Sequence, residues 1–183
     1  KLTDRFHRRR LNEWQEKGYI KKIINKYYIF SDIEINEPVL FSIGNKIYSP
    51  SYISLEIALA NYNLIPEGVF GITSVTTKKT NQFNSPVGTY IYRTIKPDLF
   101  FGYKLVQFNH HVYKIAEIEK AVLDFFYFND KLRDEKHFVE LRINKDEFYQ
   151  KIDNEKFIAY LKLFNNASLN KRISNFLKYL RNA

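Results

Sequence analysis

The period of the apolar positions changes several times along this chain, and each change marks a predicted element. In the opening stretch, LTDRFHRRRLNEWQEKG, Phe6, Leu11 and Trp14 recur near helical spacing. Thr3 or Asp4 is placed to cap that helix and Gly18 to stop it. The following YIKKIINKYYIFSD is dense in Ile and Tyr and has Asn25-Lys26 at its centre, the pattern of a two-stranded hairpin. Residues 33–50 read as a polar stretch broken by the apolar Val39, Leu40 and Phe41, and predict a linker with one short element. From residue 51, SYISLEIALANYNLI predicts a helix capped by Ser51 or Ser54, burying Leu55, Leu59 and Tyr62 and ended by Pro66.

Three β segments follow. They are VFGITSVTT, then GTYIYRTI after the turn Asn84-Ser85-Pro86-Val87, and then YKLVQFNHHVYKI, which turns on itself at Asn109-His110. Together they predict a small, mostly antiparallel sheet. EIEKAVLDFFYF places Ile118, Val122, Phe125 and Phe126 on one helix face with Leu123 beside them. After a polar spacer at 129–136 the rest is helical. The last helix has a stripe of Leu169, Ile173, Phe176, Leu177 and Leu180 opposite Lys171, Arg172, Asn175, Lys178 and Arg181. The predicted class is α+β. Residues 1–32 form a partial winged helix-turn-helix, a recognition helix plus wing whose upstream part is absent from the sequence. Residues 33–50 are a linker, and 51–183 are a mixed domain with a small sheet and C-terminal helices.

Composition changes the picture in three ways. A hydrophobic fraction of 45% with 17% aromatics is that of a chain that folds around a core. With no Cys, disulfides and thiolate metal sites are excluded, and no apolar run reaches the roughly 20 residues that cross a bilayer, so a cytoplasmic protein without membrane contact is expected. The chain starts at Lys1 and has no Met, so it is expected to continue upstream. The net charge of +9 is concentrated at the ends: residues 1–30 hold nine Lys/Arg against three Asp/Glu, 31–130 eight against ten, and 131–183 twelve against seven. Basic ends around a neutral middle favour a polyanionic partner.

Arg5, Arg8, Arg9 and Asn12 lie opposite the first apolar stripe, with the length and chemistry to reach phosphates and base edges from a helix in a major groove. Lys21, Lys22 and Lys26 on the ribbon would fix the protein on the backbone and read little sequence. Catalysis finds no support: there is no Cys, no G-x-S-x-G and no phosphate loop among the six Gly, and adjacent His110 and His111 read as turn residues. Asp98, Glu117, Glu119 and Lys120 lack the spacing of a nuclease metal cluster and read as a solvated helix start. A metal-dependent nuclease or other enzyme acting on nucleic acid, and a pure interaction module that sequesters a partner, are the competing functions. No cofactor is expected.

The stretches YISLEIALANYNLIPEGVFGITSVTTKKT, F-x-x-P-V-G-T-Y-x-Y-R, IKPDLFFGY and IAEIEKAVLDFFYF, from Ser51 to Phe128, resemble the AbiEi-type antitoxins of abortive-infection toxin-antitoxin pairs. RRRLNEWQEKGYIKKIINKYYIFSD resembles the recognition helix and wing that precede this domain in the family, although family wings commonly turn through Gly and this one through Asn25-Lys26-Tyr27. The resemblance implies a non-enzymatic transcriptional regulator that binds inverted repeats in its own operator DNA. It also implies action against a cognate nucleotidyltransferase-like toxin, which in many such pairs needs no stable complex. Thr77, Lys78 and Lys79, with Arg93 and Lys96 in the next strand, are the candidate patch for that second role.

Overall fold

The computed structural model describes residues 2–66, 68 and 71–182, with side chains from Phe6 onward. The side chains of Thr3, Asp4 and Arg5 lie outside the described residues, as do Val69 and Phe70 of the first expected strand. The chain is α+β. Helix α1 (Leu2–Glu16) ends in a paired closure: Gly18 takes φ +72°, its N–H donates to the Gln15 carbonyl at 3.0 Å, and Tyr19 N–H donates to the Trp14 carbonyl at 2.9 Å. Strands β1 (Ile20–Ile24) and β2 (Tyr27–Phe30) form the expected antiparallel hairpin. At its turn Lys26 takes φ +71°, the left-handed conformation that glycine more often supplies. Ile23 and Ile29 anchor the hairpin to the main core.

Residues 33–50 hold one helix, longer than the short element expected of a linker. Helix α2 (Glu37–Ile47) runs 11 residues, starting where the Asn36 side chain accepts from Val39 N–H at 3.2 Å, and it buries Val39, Phe41 and Ile47. The rest of the sheet side comprises β3 (Ser51–Ile53), α3 (Leu55–Asn61), β4 (Ile72–Thr76), β5 (Asn81–Ser85), β6 (Gly88–Thr94), a 3-10 turn at Pro97–Leu99, β7 (Tyr103–Phe108) and β8 (His111–Ala116). These give a six-stranded sheet in the order β5-β6-β4-β3-β8-β7. Three of its pairings are antiparallel, while β4 with β6 and β3 with β8 run parallel. The sheet is larger than expected because β3 and β5 join it.

Alternation along the strands sends successive side chains to opposite faces. Tyr92 points toward α2, where its hydroxyl donates to the Gly44 carbonyl at 2.6 Å, and Phe41 of α2 meets Tyr113 edge-on at 5.4 Å. The other face carries α3 and α4 (Ile118–Phe128). Behind α4 stand α5 (Glu135–Glu140), α6 (Lys145–Lys151), α7 (Asn154–Phe164) and α8 (Ala167–Asn182). Asp134, Asn144, Asp153 and Asn166 accept from the first turns of these four helices in order, which is why each starts where it does.

Helix α4 departs from the single apolar face expected of it. Nine consecutive residues, Ile118 to Phe126, are buried, because the sheet covers one side and α3, α7 and α8 the others. Phe126, Phe138 and Phe148 gather around Phe176 of α8 with ring centroids 4.8, 5.5 and 5.7 Å away. Arg172 of α8 is also buried, contrary to its expected place on the solvent face, and it donates to the Asn129 carbonyl at 3.3 Å. Among the described residues no helix is long and apolar enough to cross a membrane.

Candidate nucleic-acid interface

Helix α1 and the β1–β2 hairpin enclose an open hollow of about 660 Å³ lined by Arg8, Leu11, Asn12, Lys22, Asn25, Lys26 and Tyr28. Arg8 and Asn12 share it because residues four apart stand on one helix face. Lys22 and Lys26 reach it from the strand and the turn. Among the described residues three cations converge there and no carboxylate lines the hollow, so those side chains give it a positive field. The side-chain amides of Asn12 and Asn25 add groups that both donate and accept.

The other expected contacts are placed differently. Arg9 turns away, with its Nε 3.1 Å from Glu13 Oε1, beside Arg10, which stands 3.8 Å from Glu13 Oε2 and over the Phe6 ring at 5.9 Å. Lys21 is exposed on the opposite side of β1 from Lys22, across from Ile29. The apolar stripe of α1 stays largely open among the described residues, with Phe6 62% and Trp14 38% exposed.

The second patch does not assemble. Lys78 lies over the Tyr48 ring at 5.2 Å on the α2 side, and Tyr48 donates to the Lys79 carbonyl at 2.9 Å. Arg93 lies over the Phe128 ring at 5.2 Å on the α4 side, so the sheet separates the two. Thr77 is half-buried just past β4, and Lys96 is exposed ahead of the 3-10 turn.

Sequence reasoning missed a buried polar cluster at the centre of the molecule. Asp124 accepts from Tyr52 and Ser54 hydroxyls on Oδ2, each at 2.9 Å, and from Lys120 on Oδ1. Lys120 also donates to Tyr52 at 3.0 Å and sits over the Phe164 and Phe101 rings at 4.8 and 5.1 Å. Lys120, Asp124, Tyr52 and Ser54 are each 0% exposed. Burial pushes the Asp124 carboxyl up despite Lys120, and pushes the Lys120 ammonium down despite Asp124. Gly102, at φ +68°, leaves room for the lysine stem: a Cβ there would stand 3.1 Å from Lys120 Cβ.

The residues read as a solvated helix start are largely enclosed. Glu119 is 3% exposed and accepts from Asp153 N–H at 3.0 Å, while Lys156 bridges Glu117 at 2.9 Å and Glu119 at 3.8 Å. Asp98 stands apart on the exposed 3-10 turn. Among the described residues no three His, Cys, Asp or Glu are grouped to hold a metal ion.

Burial raises the Glu117 carboxyl, but donation from Tyr160 at 2.5 Å and from Lys156 outweighs it and holds the group below the usual carboxylate range. Tyr160, itself desolvated and bound to Glu117, is pushed up to about 12. A depressed carboxyl contributes stability above its unfolded value and loses it as pH falls through the folded one. Glu117→Gln is therefore expected to lower the melting temperature most near neutrality and least in acid, where the wild-type carboxyl is itself protonated, so that the acid limb of a plot of melting temperature against pH is flatter in the variant. An acid limb that keeps its slope in the variant would show that Glu117 carries none of it.

Comparison with protein-family models and with curated proteins finds no match to this chain.

Proposed function

We propose that this chain is a DNA-binding antitoxin that represses its own toxin-antitoxin operon and counteracts a nucleotidyltransferase-like toxin. The observation that carries the DNA-binding half is the convergence of Arg8, Asn12, Lys22 and Lys26 on one open hollow between a helix and a two-stranded ribbon. In this reading α1 is the recognition helix of a winged helix and lies in the major groove. Arg8 and Asn12 read base edges, the geometry of Arg to guanine and Asn to adenine. The hairpin is the wing, and Lys22 and Lys26 hold the phosphate backbone between helix and ribbon. The antitoxin half is supported by the resemblance of the Ser51–Phe128 stretch to AbiEi-type antitoxins. No chemistry is assigned to the chain.

Titration of a fluorescent duplex carrying the inverted repeats upstream of the chain's own gene, against a scrambled duplex of equal length, tests the first half. Tighter binding to the repeats by about 10³-fold is expected of a specific regulator. Equal affinity for both duplexes at physiological salt would refute repression by this route. For the second half, co-expression with the neighbouring nucleotidyltransferase is expected to restore growth, and to do so equally with Arg8→Ala.

A further inference from the structure

We propose that β7 is the surface through which two copies of this chain join, edge to edge, into one continuous sheet. Among the described residues the strand order leaves β7 at one end of the sheet with its outer edge unpaired. The β5 edge is guarded: four of its five residues are Asn, Gln or Ser, and β1 lies beside it. The β7 edge has little of the usual protection. It has no proline, its register with β8 runs unbroken from Tyr103 to Phe108, and its one charge is Lys104. Leu105 is 68% exposed, Phe108 41%, and Val112, diagonal to Leu105 on the same face, 46%.

The sequence of β7 fits a second copy of itself. Identical edges pair antiparallel only about a two-fold axis perpendicular to the sheet, which keeps each residue on its own face and so matches positions of the same parity. Centred on Val106, such an axis sets Val106 against the partner's Val106, Leu105 against the partner's Gln107, and Lys104 against the partner's Phe108. No cation meets another, and the lysine stem lies along an aromatic ring. The hydrogen bonds agree. The two-residue turn Asn109-His110 closes on the Phe108–His111 pair, and alternation then turns the backbone N–H and C=O of Leu105 and Gln107 outward. Those two residues are the ones this register places opposite each other. The pairing rests on β7 alone and not on the DNA reading.

Sedimentation velocity on the full chain is expected to show twice the mass of one chain, and Leu105→Arg to weaken association at least about 10-fold (roughly 1.4 kcal/mol) with an unchanged circular dichroism spectrum. The chain has no cysteine, so a single thiol reports the register directly. Facing residues in a non-hydrogen-bonded antiparallel pair have Cα atoms about 4.5 Å apart, within disulfide reach. Val106→Cys is expected to oxidise to a covalent dimer, and the exposed off-axis Val112→Cys to stay single. A single-chain mass for the native protein at every concentration would overturn the proposal. So would a dimer indifferent to Leu105→Arg, or cross-linking through Val112→Cys in preference to Val106→Cys.

Discussion

Asp124→Ala is expected to destabilise the folded chain by about 3–5 kcal/mol, the cost of leaving one member of a buried ion pair alone. For a chain of this size that corresponds to a fall in melting temperature of roughly 6–20 °C at about 2–4 °C per kcal/mol. The loss is large because the Lys120 ammonium has no route to water. It is fully buried on α4, with the Tyr52 hydroxyl and the faces of Phe101 and Phe164 as its remaining neighbours. Lys120→Met is expected to cost less, since Asp124 keeps two hydroxyl donors and its carboxyl, already pushed up by burial, takes a proton readily. Lys120→Met with Asp124→Asn leaves no charge unpaired and preserves an acceptor for Tyr52 and Ser54. That double variant is expected to be more stable than Asp124→Ala, a coupling of the kind seen between members of one network. Calorimetry on the four proteins checks the order. Losses below about 1 kcal/mol for both single variants would place the pair within reach of solvent.

This cluster also shows where sequence reasoning stopped. Lys120 and Asp124 are four residues apart, a spacing that on most helices is an exposed ion pair. The partners that make it a buried one, Tyr52 and Ser54, are about 70 residues away in sequence. One local signal was available: α4 carries apolar residues around its whole circumference, so any charge on it had to be satisfied inside the protein.

Elements with a strong local period were legible, among them the hairpin turning at Asn109-His110 and the α8 stripe through Leu169, Ile173, Phe176 and Leu180. Strand β5 was not, because NQFNS has one apolar residue and is a strand only by pairing with β6. Strand β3, three residues long, blends into the cap of α3. Arg172 read as solvent-facing because nothing on α8 itself reveals that the Asn129 carbonyl lies above it. For the basic residues, helical spacing brought Arg8 and Asn12 together correctly but did not separate Arg9, whose orientation is set by Glu13. The sequence reading also grouped Lys21 with Lys22, although alternation sends neighbours on a strand to opposite sides, and which of them faces α1 depends on how the hairpin folds back.

That sorting leads to graded DNA-binding results. Lys22→Ala and Lys26→Ala together are expected to lower the slope of log affinity against log salt by roughly 2, at about 0.9 for each phosphate no longer neutralised. Affinity should fall for operator and scrambled duplex alike wherever the side chain meets the backbone. Asn12→Ala is expected to leave that slope nearly unchanged and to weaken operator binding selectively by about 1–3 kcal/mol, since a neutral amide releases no counterion and acts through a base edge. Arg9→Ala and Lys21→Ala should matter least: Arg9 is paired with Glu13 outside the hollow, and Lys21 is on the far side of β1. Anisotropy titrations at several salt concentrations separate these cases. If Arg9 or Lys21 proved more important than Lys22 and Lys26, the duplex would have to approach over another face of α1, and the hollow would lose its assigned role.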